Sequence, residues 1–322
     1  MKITSTTQTA VLIIGFNRPN LLQKLLTEID FGSRRVYLSI DAPRNIHEFI
    51  QVEECKRIAK KFKSMRLKGT TALNFREKNF GLSSAVEDAL NWAFQKEEKL
   101  VILEDDVFPS NAFFDYMDRF LNEFQDDLQI WQVGGHNPNP RTTLLRTEYL
   151  SIFPMIWGWG TWKNRWELFD RDASQYEGNL GAYLRSYTDS GISDSLFSDY
   201  FESRIGKLQA GFDTWDYQWA FAMWKARAFS IQPGVNLTLN LGQNSSGTNT
   251  NSSEVFITKW KLEPGRVMRK IVSPEIDIWQ DMVTFAYVFG RTRTLPLKWR
   301  VFLKLQKKYT RFRTTVWKIG VR

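Results

Sequence analysis

A chain of 322 residues with 43% hydrophobic and 25% charged content has an ordinary globular composition and can bury a core, as one large domain or two small ones. The formal charge of +9 does not imply nucleic acid: 11 Lys and Arg lie between Arg291 and Arg322 with no acid among them, leaving 33 basic against 35 acidic groups elsewhere. A single cysteine, Cys55, excludes an internal disulfide and a thiolate metal cluster, which suits a reducing compartment.

The apolar run near the N-terminus ends at Asn17 and Arg18, too soon for a signal peptide or a membrane span, so a cytoplasmic location is expected. That run, "VLIIGF" (11–16), is the first of five short strand-like segments; the others are "VYLSID" (36–41), "TTALNF" (70–75), "LVILED" (100–105) and "IWQVGG" (130–135). Helical patterns separate them. In "RPNLLQKLLTEI", Pro19 suits a first helical position, and Leu21, Leu22, Leu25, Leu26 and Ile29 form one apolar face. The alternation predicts an α/β fold, a mostly parallel central sheet flanked by helices.

No G-x-G-x-x-G follows the first strand, and no G-x-x-x-x-G-K-[ST] occurs, so a dinucleotide-binding fold and a P-loop enzyme are unsupported. In open α/β sheets ligands collect beyond the carboxyl ends of the strands. Asn17, Arg18, Asp41, Arg76 and the run Glu104, Asp105 and Asp106 all fall there.

In "FREKNFGLSSAVEDALNWAF", Gly81 allows a close approach, Ser84 and Glu87 have capping-box spacing, and Val86, Leu90 and Phe94 begin an apolar face. A helix is predicted from about Ser84, its free N–H groups facing a nucleotide together with Arg76 and Lys78; a charged strand-to-helix turn is the alternative. In "LVILEDDVFP" three carboxylates close a buried strand. Such a run is either a solvated acidic turn or a site for a hard cation, Mn2+ or Mg2+, which needs only one or two carboxylates when it also chelates a diphosphate. Strand alternation puts Glu104 and Asp106 on one side and Asp105 on the other. Asp106 is the expected metal ligand; Glu104 or Asp105 would accept hydrogen bonds from a ribose or from metal-bound water.

The second half is rich in tryptophan: Trp157, Trp159, Trp162 and Trp166, then Trp215, Trp219 and Trp224. Such clusters form cores, yet indoles also stack on sugar rings, and Gly158 and Gly160 would let backbone approach a ligand. The stretch 240–254, "NLGQNSSGTNTNSSE", has no apolar period and reads as a loop able to act as a lid. After 291 the cations alternate with Trp299, Phe302, Leu303, Leu305, Tyr309, Phe312 and Trp317. That pattern suits an interfacial helix on an anionic membrane, or a basic helix packed on its own domain.

The segments "VLIIGFNRP", "LSIDAPRN", "REKNFGLSSAVEDAL", "LVILEDDVFPSNAFFDYMDRFL", "SIFPMIWGWGTWKNRWELF" and "WDYQWAF" resemble, in order and spacing over about residues 9–245, bacterial glycosyltransferases of the GT-A fold, and N-acetylglucosaminyltransferase I in particular. The resemblance implies a metal-dependent, inverting transfer from a nucleotide sugar, by default UDP-linked, to a glycan or lipid-linked acceptor. It implies that Asp106 binds manganese and that Glu104 and Asp105 contact the donor; Asn17, Arg18, Asp41, Arg76 and Gly81 join them as candidate donor contacts from their place beyond the strand ends. It further implies that Asp216 is the catalytic base, while Trp157, Trp159 and Trp215 are candidate acceptor or sugar contacts because indoles stack on sugar rings. Where the family has a second Asp beside the base, this chain has Tyr217.

The expected organisation is a catalytic domain over 1–255, with a donor half to about 135 and an acceptor half from 136, followed by a basic helical extension over 256–322. Two rival readings remain open at this point. A sugar nucleotidyltransferase shares the sheet type, but "GFNRPN" lacks its glycine-rich basic loop. A non-enzymatic carbohydrate- or membrane-binding module would have no need of the acidic run.

Overall fold

A computed structural model describes residues 8–137, 148–173, 194–242 and 278–289, with the single positions 297 and 301. Most of the expected lid, 243–254, and nearly all of the basic tail lie outside these residues; Leu297 and Val301 within the tail are helical and exposed.

Strands and helices alternate through the first half: β1 (Ala10–Gly15), α1 (Pro19–Glu28), β2 (Val36–Ile40), α2 (Ile46–Met65), β3 (Thr71–Phe75), α3 (Leu82–Phe94), β4 (Lys99–Glu104), β5 (Val107–Pro109), α4 (Phe113–Glu123) and β6 (Ile130–Gly134). Each of the five strands read from the sequence is present within a residue or two of its expected bounds. Pro19 opens α1, where a missing N–H costs nothing, and Leu22, Leu25 and Leu26 bury its inner face. Asn45 caps α2 by accepting the His47 N–H at 3.0 Å. The second half adds β7 (Tyr149–Ser151), β8 (Trp159–Trp162), α5 (Lys163–Trp166), α6 (Asp194–Gln209), α7 (Asp216–Lys225), β9 (Phe229–Gln232), β10 (Thr238–Asn240) and α8 (Ile278–Val288).

Eight strands form one sheet in the order β3-β2-β1-β4-β8-β6-β9-β7. The first four are mutually parallel, β6 and β9 run parallel to each other, and β8 and β7 are antiparallel to their neighbours. The fold is therefore α/β with a large, mostly parallel sheet flanked by helices. Strand alternation divides its core. Val11, Ile13, Leu38, Val101 and Leu103 point into one cluster with α1, α2 and α4, while Leu12, Tyr37, Leu100 and Ile102 point into another with α3 and the indoles.

The core draws on both halves of the chain and on a helix beyond 255. The two halves that meet near 135 share one sheet, because β8 from the second half pairs with β4 on one side and β6 on the other. Beyond 255, Met282, Val283, Phe285 and Ala286 of α8 are about 1% exposed and pack with Phe153, Phe201 and Trp224. The Asp281 carboxylate accepts from the Ser151 hydroxyl and at 3.2 Å from the Ile152 N–H, tying α8 to the end of β7. Among the described residues no helix is long and apolar enough to cross a membrane.

Candidate functional site

The ends of β1 and β4 lie side by side, with Ile14 opposite Glu104, where the strand order 3-2-1-4 turns back. A sheet of this kind opens a crevice at that position, since the connections from the two strands leave in different directions. Into it β1 delivers Asn17 and Arg18, and β4 delivers the acidic run.

Strand β4 stops at Glu104 and the chain turns at Asp105 and Asp106. The expected alternation therefore does not extend through the run, and one guanidinium reaches both aspartates. Arg18 Nη1 lies 2.9 Å from Asp105 Oδ1 and also pairs with Asp106 Oδ2. Asp105 Oδ2 accepts the Phe16 N–H at 3.1 Å, so Asp105 is anchored to the end of β1. Asp106 differs: its Oδ1 is buried with no hydrogen-bond partner among the described residues. The β5–β10 ribbon closes over it, with the Leu241 N–H donating to the Asp106 carbonyl at 2.8 Å. Position 242 must be glycine here, because a Cβ would run into the Asp106 carboxylate. Asn17 is turned aside, its Nδ2 3.3 Å from Glu48 Oε1.

From the second half α7 contributes Asp216 at its first turn, where Thr214 Oγ1 donates to its carboxylate. Asp216 directly follows Trp215, which stacks on Trp159 of β8 opposite Ile102 of β4, and its negative charge is the weakest of those that raise Glu104. Burial raises the pKa of Asp216, opposed by the Thr214 hydrogen bond and by Arg204 on α6. Tyr217, which stands where the resembling family has an Asp, turns its hydroxyl to Tyr200 at 3.3 Å.

Burial is the largest influence on the acidic run as well. It raises Glu104 to about 8, helped by Asp106 and opposed by Arg18, and raises Asp105 and Asp106 against the same guanidinium. The folded protein therefore holds the Glu104 proton longer than the unfolded chain does. The resulting stability is complete below the ordinary value of 4.5 and is lost as pH rises through about 8. Glu104→Gln cannot lose that proton, so its melting temperature should gain on the parent's between pH 5 and pH 9. An offset that does not change with pH would contradict this assignment.

Other residues expected to bind a donor do different work. Asp41 accepts from the Ala42 and Phe80 N–H groups at 2.9 and 3.1 Å and from Asn79 Nδ2 at 3.0 Å, so both its oxygens hold the 79–81 turn in place. Arg76 is buried, pairs with Asp88 at 2.6 Å and donates to the Ala85 carbonyl at 3.0 Å, while its Nη1 has no hydrogen-bond partner among the described residues. The N-terminus of α3 is also taken: Asp213 accepts from Leu82 N and Ser83 N at 2.7 and 2.8 Å. Gly81, with φ +77°, permits that approach, since a Cβ there would lie 2.7 Å from Asp213 Oδ2. Its glycine serves a carboxylate cap rather than a ligand.

Of the three tryptophans expected to touch sugar, two belong to the core. Trp159 and Trp215 are 1% and 3% exposed and stack on each other at 5.4 Å among Trp166 and Trp219. Trp157 alone is half-buried, beside His136 at a ring distance of 4.6 Å, with its carbonyl accepting from Thr238 Oγ1 at 2.6 Å. His136, which the sequence pattern does not single out, lies two residues beyond β6 at the carboxyl end of the sheet. Burial lowers its pKa to about 3, so it is neutral in the folded protein.

Among the described residues no three His, Cys, Asp or Glu side chains converge as a metal cluster. The unpartnered Asp106 Oδ1, beside Asp105, nonetheless fits a hard cation that takes its remaining ligands from a diphosphate. No protein-family model matches the chain, and no curated protein matches its sequence significantly.

Proposed function

We propose that this chain is an inverting glycosyltransferase of the GT-A type, moving a sugar from a nucleoside diphosphate to a hydroxyl of a glycan or lipid-linked acceptor. The observation that carries the reading is the Arg18–Asp105–Asp106 group at the ends of β1 and β4, with one Asp106 oxygen buried and left without a partner among the described residues. An acidic turn with no function would have no reason to bury an open carboxylate oxygen. The order 3-2-1-4, followed by an antiparallel strand from the second half, supports the same reading.

Asp106, through Oδ1, with Asp105 beside it, would hold Mn2+ or Mg2+. A bound cation of this kind neutralises charge on a leaving diphosphate. Arg18 supplies a fixed positive charge next to the same oxygens. Asp216 takes the proton from the acceptor hydroxyl as its oxygen attacks the anomeric carbon. The bond from that carbon to the diphosphate breaks, and the single displacement inverts the centre. Burial of Asp216 raises its basicity toward the working pH. The basic tail would present this machinery to an anionic membrane on its cytoplasmic side.

A panel of nucleotide sugars, each incubated with the full chain and Mn2+, tests the proposal by release of nucleoside diphosphate. At least one donor should be hydrolysed or transferred only with metal. Release from none of them, with no metal-dependent nucleotide binding, would refute it.

A further inference from the structure

A second cleft of about 480 Å³ lies outside the β1–β4 crevice, between the outer face of α3, the 78–80 turn and Arg171. Its walls include Ser84, Glu87, Asp88 and Asn91, which share one stripe of α3 at intervals of three and four residues. The 79–81 turn separates this cleft from Asp41. Asn79 Nδ2 and the Phe80 N–H bind Asp41, while the Asn79 and Phe80 side chains also line the cleft.

The cleft has mixed chemistry with little net charge. Arginines hold both carboxylates: Asp88 pairs with Arg76 and Glu87 with Arg171. Each keeps an oxygen able to accept. Asn91 Oδ1 accepts from Trp166 Nε1 at 2.9 Å, which fixes the amide and leaves its NH2 to donate. Lys78 makes no ion pair among the described residues, and the Ser84 hydroxyl can do either. Phe80 stands at the rim, 38% exposed, with the Arg76 guanidinium 5.2 Å from its ring centre.

We infer that this cleft is a binding subsite for a neutral oligosaccharide. Sugar hydroxyls donate and accept alike, and they suit planar side chains already held by neighbours, because little further side-chain freedom is lost on binding. The apolar face of a pyranose suits a half-exposed aromatic ring. A strongly anionic ligand fits poorly, since two carboxylates line the walls. The volume suits about two sugar rings. The subsite requires no transfer chemistry, so it stands or falls separately from the proposed activity.

The test uses the full chain on an array of neutral and acidic oligosaccharides, with two variants. Phe80→Ala removes the ring, and Ser84→Trp fills the cleft from a half-buried helical position on its wall. The parent should retain neutral oligosaccharides, and both variants should bind them at least about tenfold more weakly. Ser84→Trp should keep metal-dependent nucleotide binding within about twofold, which separates the cleft from the crevice. Retention of no glycan, preference for acidic glycans, or binding unchanged in Ser84→Trp would each overturn the inference.

Discussion

Asp106→Asn should abolish turnover and manganese-dependent nucleotide binding while the protein stays folded. An amide keeps the shape of the side chain but loses the charge that holds a hard cation. A metal at a leaving diphosphate contributes several kcal/mol of charge stabilisation, so the rate should fall by at least about 10²-fold. The fold should tolerate the change, since burial already works against the Asp106 charge and Arg18 retains Asp105 at 2.9 Å. Calorimetric titration with UDP in the presence and absence of Mn2+ separates the two effects. Parent-level activity in a folded Asp106→Asn protein would end the metal-site reading.

Asp216→Asn should leave donor affinity intact and lower turnover by roughly 10² to 10⁴, the usual scale for losing a general base. Its carboxylate lies in the first turn of α7 and accepts from the Thr214 hydroxyl, and the amide oxygen of Asn can accept the same hydrogen bond. Because burial raises its pKa, the acid limb of the parent's pH profile should lie above the range of an ordinary carboxylate. If donor binding fell together with turnover, Asp216 would be a donor-site residue. Asp213 is no substitute base, as its two oxygens cap α3.

Much of this was legible in the sequence because it depends on local pattern. Alternating β-branched runs and helical faces gave the α/β class, Pro19 marked the start of α1, and a strand ending in carboxylates marked the crevice. What could not be read was which side chain meets which across long separations. Arg18 and Asp106 are 88 residues apart, and Asp213 and Leu82 are 131 apart. Nothing local to Arg76 distinguishes a phosphate ligand from a partner of Asp88. The tryptophans misled for a related reason. An indole suits a sugar and a core equally, and only the insertion of β8 into the middle of the sheet decides for the core at Trp159.

That insertion also governs how the chain can be cut. A fragment ending near residue 135 would contain β1 to β6 and look complete by composition, yet β4 and β6 would have lost the strand that joins them. The exposed edge of β4, "KLVILE", is apolar with one charge at each end, the kind of bare edge on which chains add to one another. Synthesis from the N-terminus meets the same difficulty, since β4 leaves the ribosome well before β8 and must wait for it. Such a fragment should aggregate when expressed alone and become soluble when residues 136–289 are supplied as a second polypeptide.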